Sequence, residues 1–85
     1  MIGTITIPPY PSVKRICDGI NARWIRITAH GVNDRAVEAT YFMGAASPTK
    51  RNVEPGETLF VEALAVDLSL GQTPRPTSVR VDFEL

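Results

Sequence analysis

The amino-acid sequence predicts an all-β protein: a small antiparallel β-sandwich or barrel of six or seven short strands, forming a single domain over residues 1–85. Three observations support this fold class. Residues 78–85 alternate without error between polar and apolar side chains, which is the period of a strand with one buried face. Other short segments rich in β-branched residues are separated by Gly and Pro turns. The hydrophobic fraction of 44% and the charged fraction of 21% are ordinary for a globular domain.

The first two predicted strands, residues 3–7 and residues 13–17, are separated by a stiff proline-rich segment. Prolines cannot donate a ladder hydrogen bond and favour an extended path, so this segment ends the first strand. An extended, stiff segment loses little conformational entropy on docking against a neighbour. Pro8, Pro9 and Tyr10 are therefore candidate interface residues, and a rigid connection between strands is the alternative interpretation.

The strand predicted over residues 22–29 has two different faces. Ile25, Ile27 and Ala29 lie on one face, and Trp24, Arg26 and Thr28 lie on the other. If the isoleucines face the core, Trp24 and Arg26 are exposed, and these two residue types are enriched at binding hot spots. If both faces of the strand are covered, Trp24 belongs to the core. The sequence leaves both arrangements open.

Residues 36–43 fit a strand or a short helix capped by Asp34. The Thr-Tyr-Phe run favours the strand, which places Val37, Ala39, Tyr41 and Met43 on one face. Residues 44–52 are predicted to form a polar loop. Its basic tip, Lys50 and Arg51, is a further candidate contact for a partner, with solvated loop charge as the alternative.

Residues 59–70 form the longest apolar stretch and end close to a run of Gly and Pro residues. The stretch fits a helix, but its flanking turns favour one long bent strand or two short ones. As a single strand it has a mainly apolar side, interrupted by Glu62, that consists otherwise of Phe60, Leu64, Val66, Leu68 and Leu70.

The charge balance argues against a dedicated duplex nucleic-acid binder, because nine basic and nine acidic residues give a net charge of zero. Residues 1–35 hold five basic and two acidic side chains, a balance of +3, and residues 36–85 hold four and seven, a balance of −3. In a sandwich this asymmetry predicts two faces of opposite sign, unless it is a chance feature of a short chain. No apolar run reaches membrane-spanning length, so no membrane partner is expected.

The single cysteine, Cys17, excludes an internal disulfide, and the first residues lack a basic and apolar leader. We therefore expect synthesis in the cytoplasm without a signal peptide, which is compatible with later release in a virus particle. Cys17 and His30 are too few for a zinc site, and the dispersed glycines form no phosphate-binding loop. The sequence predicts no enzyme, no cofactor and no metal, with Cys17 in the core and His30 in a turn.

Residues 52–61, Asn-Val-Glu-Pro-Gly-Glu-Thr-Leu-Phe-Val, resemble the turn and following strand of immunoglobulin-like and fibronectin type III-like sandwiches. In size, short strands, lack of disulfides and rigid proline segment, the whole chain resembles the small decoration (cement) proteins of tailed-phage capsids. That resemblance implies a non-enzymatic structural module of a virion. Such a module binds protein, either capsid subunits or copies of itself, as a homo-oligomer or as part of a larger assembly.

Two other functions stay open at this point. A small barrel could bind single-stranded nucleic acid, with Trp24 and Tyr10 stacking on bases. The backbone of the nucleic acid would then follow four basic residues: Lys14, Arg15, Arg23 and Arg26. Alternatively, an accessory sandwich could bind carbohydrate on aromatic platforms formed by Trp24, Tyr10 and Tyr41.

Overall fold

The computed structural model describes residues 2–9, 12–17, 21–44, 47–70 and 78–85, and throughout these ranges the chain is all-β with antiparallel pairing. The strands in these ranges are β1 (Ile2–Ile7), β2 (Val13–Ile16), β3 (Arg23–Ala29), β4 (Val37–Phe42), β5 (Thr49–Val53), β6 (Thr58–Ala63), β7 (Ala65–Ser69) and β8 (Val79–Glu84). Sheet 1 has the order β1-β8-β3-β6, and sheet 2 has the order β2-β7-β4-β5. The predicted antiparallel sandwich is confirmed, with eight strands in the described residues where six or seven were predicted.

The strand pairs are nested along the chain: β1 pairs with β8, β2 with β7, β3 with β6, and β4 with β5. This is the pattern of one long two-stranded ribbon. Two further pairs, β3 with β8 and β4 with β7, join segments of that ribbon side by side. The ribbon is thus wrapped into two sheets, which is the jelly-roll arrangement of a β-sandwich.

Residues 49–53 form a strand, so the polar loop predicted for residues 44–52 is wrong there. Among the described strands β5 pairs only with β4 and is an edge strand, and of its five side chains only Val53 is buried. Its other side chains are exposed, including those of Lys50 and Arg51. A strand without a buried face has no apolar alternation, and its sequence is therefore easily taken for a loop.

The stretch predicted over residues 59–70 forms two short strands, β6 and β7, that belong to different sheets. Of the three predicted alternatives, the two short strands are confirmed, and the helix and the single bent strand are wrong. The break lies at Leu64, whose backbone N–H donates to the carbonyl of Phe42 at 2.8 Å. The alternation changes phase at this break: Leu59 and Ala63 are buried in β6, whereas Val66 and Leu68 are buried in β7. The prediction that Phe60 shares a side with the β7 residues is therefore wrong.

The core lies between the two sheets and is formed by aliphatic side chains. The predicted inward face of β3 is confirmed, because Ile25 and Ile27 are fully buried. The alternation of β8 is confirmed as well: Val79 and Val81 are buried, and Phe83 packs against the core. Beyond the end of β2, Cys17 is half-buried against the core in a left-handed conformation with φ of 75°.

The predicted turn at Pro55 and Gly56 is confirmed and is tied to sheet 1. The Glu57 N–H donates to the Glu54 carbonyl at 2.9 Å, and Gly56 has φ of 83°. Glycine adopts this conformation without strain, as the third position of a type II turn requires. The Gly56 N–H donates to the Ala29 carbonyl at 2.9 Å, which holds the turn against the end of β3.

The expected separation of charge between two faces does not form. Each sheet contains strands from both halves of the chain, so basic residues of the first half meet acidic residues of the second half. Arg15 of β2 pairs with Asp67 of β7, and Arg26 of β3 pairs with Glu84 of β8. The charge asymmetry along the sequence is thus mixed within the fold.

Gly3 lies opposite Phe83 in the β1–β8 pair, and a Cβ at Gly3 would lie 2.7 Å from the ring Cζ of Phe83. We expect Gly3→Ala to lower the free energy of unfolding by about 1–3 kcal/mol, the usual cost of overpacking. Gly31→Ala is the matched control, because a Cβ there meets nothing within 4 Å. Urea denaturation of both variants is the measurement, and equal stabilities would contradict the predicted overlap with Phe83.

Candidate functional site

The structure places Trp24 on the outer face of sheet 1, which decides between the two arrangements that the sequence left open. Because Ile25 and Ile27 point into the core, the alternate residues of β3 point outwards. The Trp24 side chain is 55% exposed, although tryptophan is usually largely buried. Arg26, two residues further along β3, lies on the same outer face and is also exposed.

Phe60 of β6 joins these two residues into one cluster. The rings of Trp24 and Phe60 are stacked, with centroids 4.9 Å apart and an interplanar angle of 29°. Arg26 lies opposite Phe60 in the β3–β6 pair, and its Cζ lies 4.9 Å from the Phe60 centroid. We call Trp24, Arg26 and Phe60 the aromatic patch. Stacking and cation–π contacts of this kind hold exposed side chains in a defined arrangement.

Charged residues border the aromatic patch at the end of β8. Arg26 Nη1 lies 3.6 Å from Glu84 Oε2, and both side chains are about half exposed. An exposed ion pair of this kind adds little stability, so a ligand can replace either partner at little energetic cost. The patch, Glu84 and Leu85 together line an open, shallow depression of about 240 Å³.

Next to the patch, a polar network ties the strands of sheet 1 together. Asp82 Oδ1 accepts a hydrogen bond from Thr4 Oγ1 at 2.7 Å and lies 2.8 Å from His30 Nε2. The hydrogen bond from His30 first, and then that from Thr4, lower the pKa of the Asp82 carboxyl from its ordinary value. The network connects β1, β8 and the end of β3, and it supports the sheet from which the patch projects.

The other predicted interface residues are not brought to the patch. Pro8 and Pro9 are half-buried after β1, and the Ser12 N–H donates to the Pro9 carbonyl at 3.2 Å. Tyr10 lies outside the described residues. Lys50 and Arg51 lie on β5 in sheet 2, not on a loop tip as predicted. Of the predicted set, the structure therefore groups only Trp24 and Arg26.

The four basic residues considered for nucleic-acid binding do not form one track. Lys14 and Arg15 lie on β2 of sheet 2, whereas Arg23 and Arg26 lie on β3 of sheet 1. Arg15 is further held by Asp67, through hydrogen bonds of 2.7 Å to Oδ1 and 3.0 Å to Oδ2. The hydrogen bonds to Asp67, followed by its negative charge, raise the pKa of Arg15.

The sequence contained a signal that Phe60 is exposed, although the prediction of one long strand placed it on the apolar side. Considered alone, residues 58–63 alternate between an apolar set (Leu59, Val61 and Ala63) and a mainly polar set that includes Phe60. Such a strand exposes Phe60, as the structure does. Treating residues 59–70 as one apolar stretch hid this alternation.

The described residues contain no group of three or more His, Cys, Asp or Glu side chains placed to hold a metal ion. Among the same residues there is no helix of the length and hydropathy needed to cross a membrane. Comparisons with models of protein families, with curated proteins and with solved structures gave no match.

The Asp82 network predicts a pH dependence of stability. Because the folded state lowers the pKa of Asp82 below its ordinary value of 3.8, the ionised carboxylate stabilises the fold above about pH 4. This stabilisation is lost as the pH falls through the lower pKa of the folded state. We expect Asp82→Asn to be less stable than the unmodified chain at neutral pH, with the difference shrinking as the solution is acidified.

Thr4→Val removes one of the two hydrogen bonds to Asp82. We expect its free energy of unfolding to depend on pH less than that of the unmodified chain and more than that of Asp82→Asn. The measurement is urea denaturation between neutral and acidic pH. Parallel stability curves for the unmodified chain and Asp82→Asn would contradict the role of the network.

Proposed function

We propose that this protein is a non-enzymatic structural module that binds another protein through the aromatic patch, as a component of a larger assembly such as a virion. The observation that carries the proposal is the stacked and exposed arrangement of Trp24 and Phe60, with Arg26 over the Phe60 ring. Phe60 is 52% exposed, so the stack leaves much aromatic surface in contact with water. Burying that surface in an interface is favourable.

The composition and geometry of the patch suit a protein partner. Tryptophan and arginine are enriched at binding hot spots, which lie within a polar rim. Here Glu84 and Glu62 supply charged groups beside the patch, since Glu62 lies opposite Trp24 and Glu84 lies opposite Arg26. The mutual stacking already restricts the rings, which reduces the entropy that they lose on binding.

The assembly context is supported by size and by fold. A chain of 85 residues buries a limited part of its surface, so attachment to a larger structure adds useful stability. Jelly rolls occur in viral capsid proteins and in lectins, and the architecture by itself specifies no activity. The resemblance to phage decoration proteins in size and in lack of disulfides favours the virion among possible assemblies.

Carbohydrate binding is the second candidate, and the depression beside Trp24 is the observation that favours it. Its walls combine two aromatic side chains with the guanidinium of Arg26 and the carboxylate of Glu84. These groups offer a stacking surface together with a hydrogen-bond donor and an acceptor for sugar hydroxyls. Single-stranded nucleic acid is less well supported, because the basic residues are divided between the two sheets.

The proposal predicts that Trp24→Ala weakens partner binding by roughly 30-fold, the effect of losing a hot spot worth about 2 kcal/mol. The fold should remain intact, with a loss of about 0.5–1.5 kcal/mol from the broken stack. The matched control is Val32→Ala, because Val32 is 89% exposed and lies on a loop away from the patch. Circular dichroism and thermal melting check the fold of each variant.

To test this, the tagged chain is incubated with an extract of its source organism or particle, and the retained proteins are quantified by mass spectrometry. A protein retained by the unmodified chain and by Val32→Ala, but not by Trp24→Ala, is the expected result, and titration of that protein then gives the fold-change. The same three chains are applied to a glycan array and to a labelled oligonucleotide at low salt. Binding to a glycan that depends on Trp24, with no such protein, would overturn the proposal in favour of carbohydrate.

A further inference from the structure

We propose that two copies of this chain associate through their β1 strands, which joins their first sheets into one continuous eight-stranded sheet. The inference concerns a surface separate from the aromatic patch and goes beyond the proposed function. It rests on the composition of the sheet edges, on the exposure of β1 and on the register that two copies of β1 can adopt.

In the part of the chain that the structure describes, the edge strands are β1 and β6 in sheet 1 and β2 and β5 in sheet 2. Edge strands present unpaired backbone N–H and C=O groups, and proteins protect such edges with charged side chains, above all lysine. β2 carries Lys14 and Arg15, β5 carries Lys50 and Arg51, and β6 carries Glu62. β1, with the sequence Ile-Gly-Thr-Ile-Thr-Ile, carries no charged residue.

β1 is longer than the edge strands of sheet 2 and as long as β6, and its outer side chains are exposed. It pairs over its full length of six residues with β8, and Ile2 is 78% exposed. Thr4 and Thr6 are exposed on the same outer face. Its isoleucines and threonines have high β propensity, and an uncharged strand of this kind is a template for pairing with another strand.

A second copy of β1 fits this edge because the strand is self-complementary. In an antiparallel pair, facing residues must point to the same side of the sheet. A two-fold axis beside Thr4 satisfies this condition: Thr4 faces Thr4, and Ile2 faces Thr6 of the other copy. No charges meet in this pairing, whereas β2 or β5 paired with its own copy would bring basic side chains together.

The geometry also predicts the strength and the consequence of the association. A contact limited to one strand pair is small, so the dimer should form reversibly and depend on concentration. A two-fold axis perpendicular to the sheet keeps the outer faces of both copies on the same side. The dimer would therefore present two aromatic patches to the same partner surface.

Two lysine variants test the proposal. Within one chain, Thr4→Lys places the new ammonium opposite the Asp82 carboxylate, which is compatible with folding. In the dimer, the same ammonium would face the ammonium of the second copy across the two-fold axis. Thr28→Lys is the matched control, because Thr28 also lies opposite Asp82 but belongs to the interior strand β3. Light scattering over a concentration series measures the mass of each chain.

We expect the mass of the unmodified chain and of Thr28→Lys to rise from 9.3 kDa towards twice that value with concentration, while Thr4→Lys remains at 9.3 kDa. An unmodified chain that stays monomeric at millimolar concentration would overturn the proposal, as would a dimer unaffected by Thr4→Lys. If Thr4→Lys fails to fold, hydrogen exchange of the unmodified chain tests the β1 pairing instead. Amides of β1 should gain protection with concentration, and unchanged exchange there would refute the pairing.

These experiments test the aromatic patch and the β1 pairing independently of each other. Trp24→Ala alters the aromatic patch and should dimerise like the unmodified chain, since Trp24 lies on β3 and not on β1. Loss of partner binding with intact dimerisation, or the reverse, identifies which of the two surfaces was assigned wrongly.

Discussion

Sheet 1 depends on the position of β8 between β1 and β3, because this one strand holds both neighbours in register. Its inward side chains belong to the core, and its outward side chains bind across the sheet. Asp82 bonds to Thr4 on one side and to His30 on the other, and Glu84 pairs with Arg26. The strand that completes the core therefore also fixes the residues around the aromatic patch.

The nested order of strand pairs explains why this surface is assembled from distant parts of the sequence. The wrapped ribbon sets Ile2 opposite Glu84 and Arg26 opposite Phe60, so each row of the outer face draws on both halves of the chain. Strand pairs so distant in sequence make folding slower than pairs in local hairpins. The entropy of closing a long loop is lost before the paired strands gain their contacts. Within the part of the chain that the structure describes, the same wrapping leaves β1 and β6 as the two edges of sheet 1.

The sequence predicted both the strand and its inward side in β3 and β8, where burial alternates, and it missed the edge strand β5. β3 and β8 have one buried and one exposed face, so period two revealed both the strand and its inward side. β5 escaped prediction because an edge strand with only Val53 buried has no apolar period. At the site, Trp24 and Arg26 were identified from one strand, but Phe60 was placed on the wrong side because the change of phase after Ala63 concealed the alternation of β6. Its contact with Arg26 is set by the pairing of β3 with β6, which local periodicity does not contain.

A patch of three side chains offers a limited area, and area of this size alone gives weak binding. Attachment to a repeating surface becomes stronger when two patches are linked, because the second contact forms at a high effective concentration. In the proposed β1 dimer the link is a rigid sheet and not a flexible linker, so the spacing of the patches is fixed. A fixed spacing gains affinity only for a partner whose own sites repeat at that spacing. In the proposed dimer, an edge strand without charged residues on the same sheet as the patch would therefore favour binding to an ordered assembly over binding to single copies of its subunit.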